Sequence, residues 1–214
     1  MPEPLKPLSE ILAYRNPDVI SKFRDKCELS SEDAAEVFDE TKKWLWLCAK
    51  APNAINMTIQ DSIIIIDDMW HTFILFTKEY QEFCSTYFGQ FIHHVPIPKA
   101  RIETMRQEAA RTPDAFIARR GHTLRALYGF IHDELGRDTL IKWYEDFPRR
   151  FGNRITGQMA VGDHLVIARP PLPNAEALPR ADLIEAIVAR HSRYAYCSQS
   201  CGAFCTCRTT CQNG

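Results

Sequence analysis

The chain has no charge excess of either sign. Lysine and arginine number 26 against 27 aspartates and glutamates, a formal net charge of -1. A protein so balanced has no strong field to hold it on nucleic acid or on an anionic membrane surface, and neither is expected as a partner. Long apolar runs are missing as well. The most apolar stretch, Ile63-Ile64-Ile65-Ile66, is cut off by Asp67 and Asp68, far short of the ~20 residues that cross a bilayer. The opening Met1-Pro2-Glu3-Pro4-Leu5-Lys6-Pro7 puts acid and proline where a secretory leader carries a cationic segment and then an apolar one. A cytoplasmic location is the expectation. Thiols stay reduced there, so the eight cysteines are expected as metal ligands, reactive thiols or buried apolar residues before a disulfide framework. The phosphate-binding loop, the Gly-x-Ser-x-Gly elbow and the dinucleotide glycine fingerprint are absent too, which leaves no motif for common nucleotide or acyl chemistry.

What is present is enough for one sizeable hydrophobic core: 214 residues, 45% hydrophobic and 25% charged. The pattern is helical from the start. Ser9 can cap a short helix through Tyr14, and Pro17 suits the first turn of the next. Ser31 opens an amphipathic helix with Ala34, Ala35, Phe38, Leu45 and Trp46 near a 3.6-residue period, and Pro52 ends it. From Asp61 the spacing predicts two helices meeting at Phe76-Thr77, the second closed by Gly89, with Pro96 and Pro98 keeping the next segment extended. Further helices are expected over Ala100–Ala110, Pro113–Arg119, His122–Glu134 and Ala181–Arg193, and Gly136 ends the third of these. A strand is expected only at His164–Ala168. The fold class is therefore all-α, an irregular multi-helix bundle with a Cys-rich C-terminal tail. Three parts are expected: a helical domain over 1–169, a Pro-rich connector and terminal helix over 170–195, and a tail over 196–214.

The chemistry concentrates between Asp67 and Pro96. Residues i, i+3 and i+4 of a helix share a face, so Asp67, Asp68 and His71 can converge, either carboxylate ligating a metal with the imidazole or fixing its tautomer. Cys84 lies about 220° from His71 on an unbroken helix and joins it only if the chain turns near Thr77. His93 and His94 are adjacent and point apart in regular structure. The candidate donors are thus His71, His93, His94, Asp67, Asp68 and Cys84, and zinc suits such mixed nitrogen, sulfur and oxygen ligands. The alternative is structural: Trp70, Phe73, Tyr80, Phe83 and Cys84 as core, His71 hydrogen-bonded to Asp67, and paired histidines on a surface loop.

The run Asp-Asp-x-Trp-His-x-Phe-Ile-Leu-x-Thr-x-x-Tyr-x-x-Phe-Cys from Asp67, continued by Phe-Gly-x-Phe-Ile-His-His-x-Pro, resembles the glycine-rich domain-containing protein-like family. The resemblance is carried by Trp70 to Pro96 and implies a helical domain. Bacterial members of that family often end in a Cys- and Gly-rich tail. This chain has only Gly202 and Gly214 in that region.

Cys197, Cys201, Cys205, Cys207 and Cys211 place five cysteines in the last stretch of the chain. Their spacing lacks the Cys-x-x-Cys pairs of a zinc ribbon and the pattern of a bacterial ferredoxin, so it names no particular site, although thiolates so gathered suit a soft metal. The functional expectation is a non-catalytic, metal-binding helical protein with a protein partner, its tail sequestering or delivering zinc or another soft or borderline transition metal. The alternatives are a metal-dependent enzyme or enzyme partner centred on His71, His93 and His94, with the tail as substrate or regulatory arm, and a protein-protein adaptor without metal.

Overall fold

The computed structural model describes residues 4–151 and 170–192, together with the backbone of 205–208. It is all-α: helices α1 (Leu8–Ala13), α2 (Pro17–Cys27), α3 (Ser31–Lys50), α4 (Ile64–Leu75), α5 (Thr77–Phe88), α6 (Lys99–Arg111), α7 (Pro113–Ile141), α8 (Phe147–Phe151) and α9 (Arg180–His191). A 3-10 turn, Asp61–Ile63, leads into α4, and a π-helical turn, Lys142–Asp146, joins α7 to α8. Two short strands, β1 (His93–Pro96) and β2 (Cys205–Arg208), form one antiparallel pair.

The longest early helix organises the rest. α3 begins where the Ser30 hydroxyl accepts from the Asp33 N–H at 3.0 Å, a normal N-cap, and stops before Pro52. It packs against α1, α2, α4 and α7. Trp44, Leu45 and Leu47 supply its fully buried face. Phe73 of α4 sits among Phe38, Tyr80 and Phe83, with ring centroids 5.1 to 5.3 Å apart, tilted or edge-on as aromatic quadrupoles prefer. Polar groups that enter this core arrive with partners. Lys42, fully buried, donates to the carbonyls of Leu12 and Tyr14 at 3.1 and 2.8 Å and pairs with Asp39, so one ammonium satisfies carbonyls that the end of α1 leaves open. Glu40 accepts from Trp143 Nε1 at 2.9 Å and from Lys43 and Lys142, tying α3 to the π-helical turn.

Pro17 does open α2, with Asn16 as its N-cap, and α4 and α5 do meet at Phe76. Two expectations change. The pieces Pro113–Arg119 and His122–Glu134 are one continuous helical run within α7, because Gly121 stays helical with its small profile against Val188 of α9, and Gly136 (φ 84°, ψ 169°) breaks that run where the sequence places its end, a short helical piece to Ile141 following the break. The segment at His93–Pro96, read as extended chain, is a strand whose partner lies more than a hundred residues on. The strand expected at His164–Ala168 lies outside the described residues, as do Cys197, Cys201 and Cys211. No helix among the described residues is long and apolar enough to cross a membrane.

Candidate metal centre

α4 places Asp67 and His71 one turn apart on the same face, as the i, i+4 spacing requires. His94 comes to them from elsewhere. α5 runs back from α4 and ends at Gly89, whose positive φ of 64° makes the left-handed cap that turns the chain. The Tyr80 hydroxyl then fixes where the chain goes. It donates to the Ile92 carbonyl at 2.6 Å and accepts from Trp70 Nε1 at 2.9 Å, so one buried oxygen ties α4, α5 and the residue before β1. Two positions later the His94 ring stands edge-on to Trp70, centroids 4.4 Å apart, and 4.2 Å from the His71 ring.

The three groups close on one point. His94 Nε2 lies 3.0 Å from Asp67 Oδ1 and His71 Nδ1 lies 3.4 Å from Asp67 Oδ2. One donor atom from each residue falls within 4.8 Å of the other two. Asp67 is buried at 1% exposure, the His94 side chain is 10% exposed and that of His71 39%, so the cluster has a closed floor and one open side. Burial pushes the His71 imidazole below its ordinary value, and His94 works in the same direction against the attraction of Asp67. His71 is thus neutral near pH 7, the form that offers a lone pair. A carboxylate oxygen accepts, so Nε2 of His94 donates the hydrogen bond to Asp67 Oδ1. A metal would take the place of that proton.

The other candidates sit elsewhere. Asp68 faces α2 and accepts from Lys26 Nζ at 2.5 Å; burial raises its carboxyl while Lys26 opposes that rise. His93, on the opposite side of β1 by strand alternation, packs on Phe91 at 4.8 Å. Cys84 is fully buried, and burial pushes its thiol up to about 11 against the contacts of Ile92 and Tyr80; it serves as core. The geometry therefore brings together three of the six candidates from this stretch. Cys205 and Cys207 belong to β2, in register with Pro96 and His94 respectively. Cys48 of α3 is disulfide-bonded, while Cys27 and Cys84 are free. The disulfide at Cys48 departs from the expectation that ranked metal ligands, reactive thiols and buried apolar residues before disulfides.

No curated protein matches the chain, and no solved structure does. A family model described as UCP032817-like matches residues 10–119, just over half of the sequence and all three clustered donors. That match corrects the resemblance to the glycine-rich domain-containing family: the model that matches, over a span that includes Trp70 to Pro96, is that of a different family. The chain belongs to the UCP032817-like family.

Proposed function

We propose that the protein binds a divalent transition ion, zinc by its donor chemistry, through Asp67, His71 and His94, and that it acts as a non-catalytic metal-binding interaction protein. The observation that carries this reading is the mutual approach of three ligand atoms within 4.8 Å on a buried carboxylate. A carboxylate so enclosed needs compensation for lost hydration, and a cation shared with two imidazole nitrogens supplies it. Leu75, 73% exposed, stands one turn beyond His71 on the same face of α4. An apolar side chain left in water beside the centre supports a role in contacting a protein.

A metal-dependent enzyme is the second reading. It is favoured by the exposed edge of His71 and by a set of three protein donors, the number found where zinc keeps a position open for water. Metal content of the full chain, measured by elemental analysis after loading with zinc and desalting, tests the shared premise. The expected result is one zinc retained per chain and its loss in His71→Ala and His94→Ala. Retention of zinc in both variants would remove the centre from Asp67, His71 and His94.

A further inference from the structure

A second place gathers chemistry apart from the metal centre. Between α6, α7, β1 and the segment that precedes the 3-10 turn lies a cavity of about 460 Å³, within the roughly 300 to 1,000 Å³ that small-molecule sites occupy. Helix periodicity builds two of its walls. α6 turns Arg101, Met105 and Glu108 toward it at i, i+4 and i+7, and α7 presents Phe116, Arg120 and Thr123 at the same spacing. Val95 of β1 and the nearby Ile97 extend the apolar surface. α6 buries no residue, so Met105 meets this cavity where a core helix would meet packed side chains.

The charge of the wall has a sign. Three guanidinium groups line the cavity against the single carboxylate of Glu108, and they differ in how they are engaged. Arg119 donates to Glu108 at 2.7 Å and lies over the Phe116 ring at 5.6 Å. Arg120 is held in place, because it donates to Gln60 Oε1 at 2.7 Å and Gln60, 5% exposed, donates in turn to the Thr58 carbonyl at 3.0 Å. Arg101 makes no side-chain hydrogen bond or ion pair among the described residues. A guanidinium left open beside an apolar hollow matches a ligand with one charged end and one apolar end.

We propose that this cavity binds a small organic carboxylate with an apolar body of several carbons. The head group pairs with Arg101, Arg120 supplies a second positive charge in the wall, and the body lies against Val95, Met105 and Phe116. One open guanidinium balances one unit of charge, which suits a carboxylate better than a phosphate monoester carrying about -1.5 to -2. An inorganic anion lacks the part that would fill the apolar side. None of Asp67, His71 and His94 lines the cavity, so the proposal does not depend on zinc.

Calorimetric titration of the full chain with sodium octanoate, with EDTA present to keep metal out, tests it. The expected result is one octanoate per chain. Acetate, the head without the body, and octanol, the body without the charge, are each expected to bind at least about tenfold more weakly. Arg101→Gln removes a surface group that the fold does not use, and is expected to lower octanoate affinity by about tenfold or more with the circular dichroism unchanged. Leu75→Ser, which removes the exposed apolar side chain on α4, leaves the affinity unaltered. Equal octanoate affinity in wild type and Arg101→Gln, octanol bound as tightly as octanoate, or affinity lost in Leu75→Ser overturns the proposal, as does no octanoate binding at all. Octyl phosphate bound more tightly than octanoate overturns the carboxylate head group.

Discussion

Asp67 is the residue on which the centre turns. It has 1% of its side-chain surface exposed and faces two imidazoles at 3.0 and 3.4 Å, so it anchors both rings and, in the proposed centre, is the anion that would neutralise the cation. Asp67→Asn keeps the shape and removes the charge. The expected outcome is a zinc affinity lower by at least about tenfold with the helical circular dichroism unchanged, read by calorimetric titration; an unaltered affinity would mean that the carboxylate is not a ligand. At this scale the sequence was legible where geometry is local. The Asp67 to His71 spacing follows from helix periodicity alone. The choice between His93 and His94 does not, because it depends on the strand alternation of a segment whose partner is remote in the chain. Asp68 was set aside by Lys26, 42 positions away, and no local pattern reports such a pair. Cys84 was settled by the side of α5 that faces inward.

Between elements, the Tyr80 hydroxyl is the bolt. Tyr80→Phe leaves the Trp70 N–H and the Ile92 carbonyl without their partner in a dry core, at a cost of about 1 to 3 kcal/mol. It also loosens the approach of β1 to α4. Urea unfolding together with zinc titration is expected to show both losses; stability lost with zinc affinity intact would separate the bolt from the site. A second joint is ionic. Glu36 of α3 meets Lys142 Nζ at 2.9 Å and Arg150 Nη2 at 2.6 Å, and Arg150 also reaches Asp33 at 2.8 Å. Burial alone would raise the Glu36 carboxyl, but the hydrogen bonds from Arg150 and Lys142 outweigh it and hold the group below its ordinary value of 4.5. A carboxyl depressed on folding contributes fully above its unfolded value and loses that contribution as pH falls through its folded one. Stability measured by urea is therefore expected to decline below about pH 4.5, with a shallower decline in Glu36→Gln; an identical pH slope in the variant would show that the network carries no net stability. Helix positions were readable because Pro17, Pro52 and Gly89 act through local backbone chemistry. The continuity of α7 was less so, since Pro113–Arg119 and His122–Glu134 read as separate helices while Gly121 between them stays helical under Val188 of α9.

Over the whole molecule, the helical class was legible because amphipathic periodicity and helix punctuation agree along most of the chain, and one buried cluster joins α1 to α9. Phe73, at its aromatic centre, is expected to cost about 3 to 5 kcal/mol when replaced by alanine, measured by denaturant unfolding; a loss under about 1 kcal/mol, a surface-type effect, would place it outside the cooperative core. The family match over 10–119 contains α4 and β1 and therefore the three donors, whereas β2 falls beyond it. The meeting of tail and centre was hidden from the sequence for the reason that all long-range strand pairing is: neither short segment signals its partner. The most direct measurement is anomalous diffraction at the zinc edge from crystals of the zinc-loaded full chain. The account predicts a peak about 2.0 to 2.2 Å from Asp67, His71 Nδ1 and His94 Nε2. A peak elsewhere, or none while the 3.0 Å His94–Asp67 hydrogen bond stays intact, would contradict it.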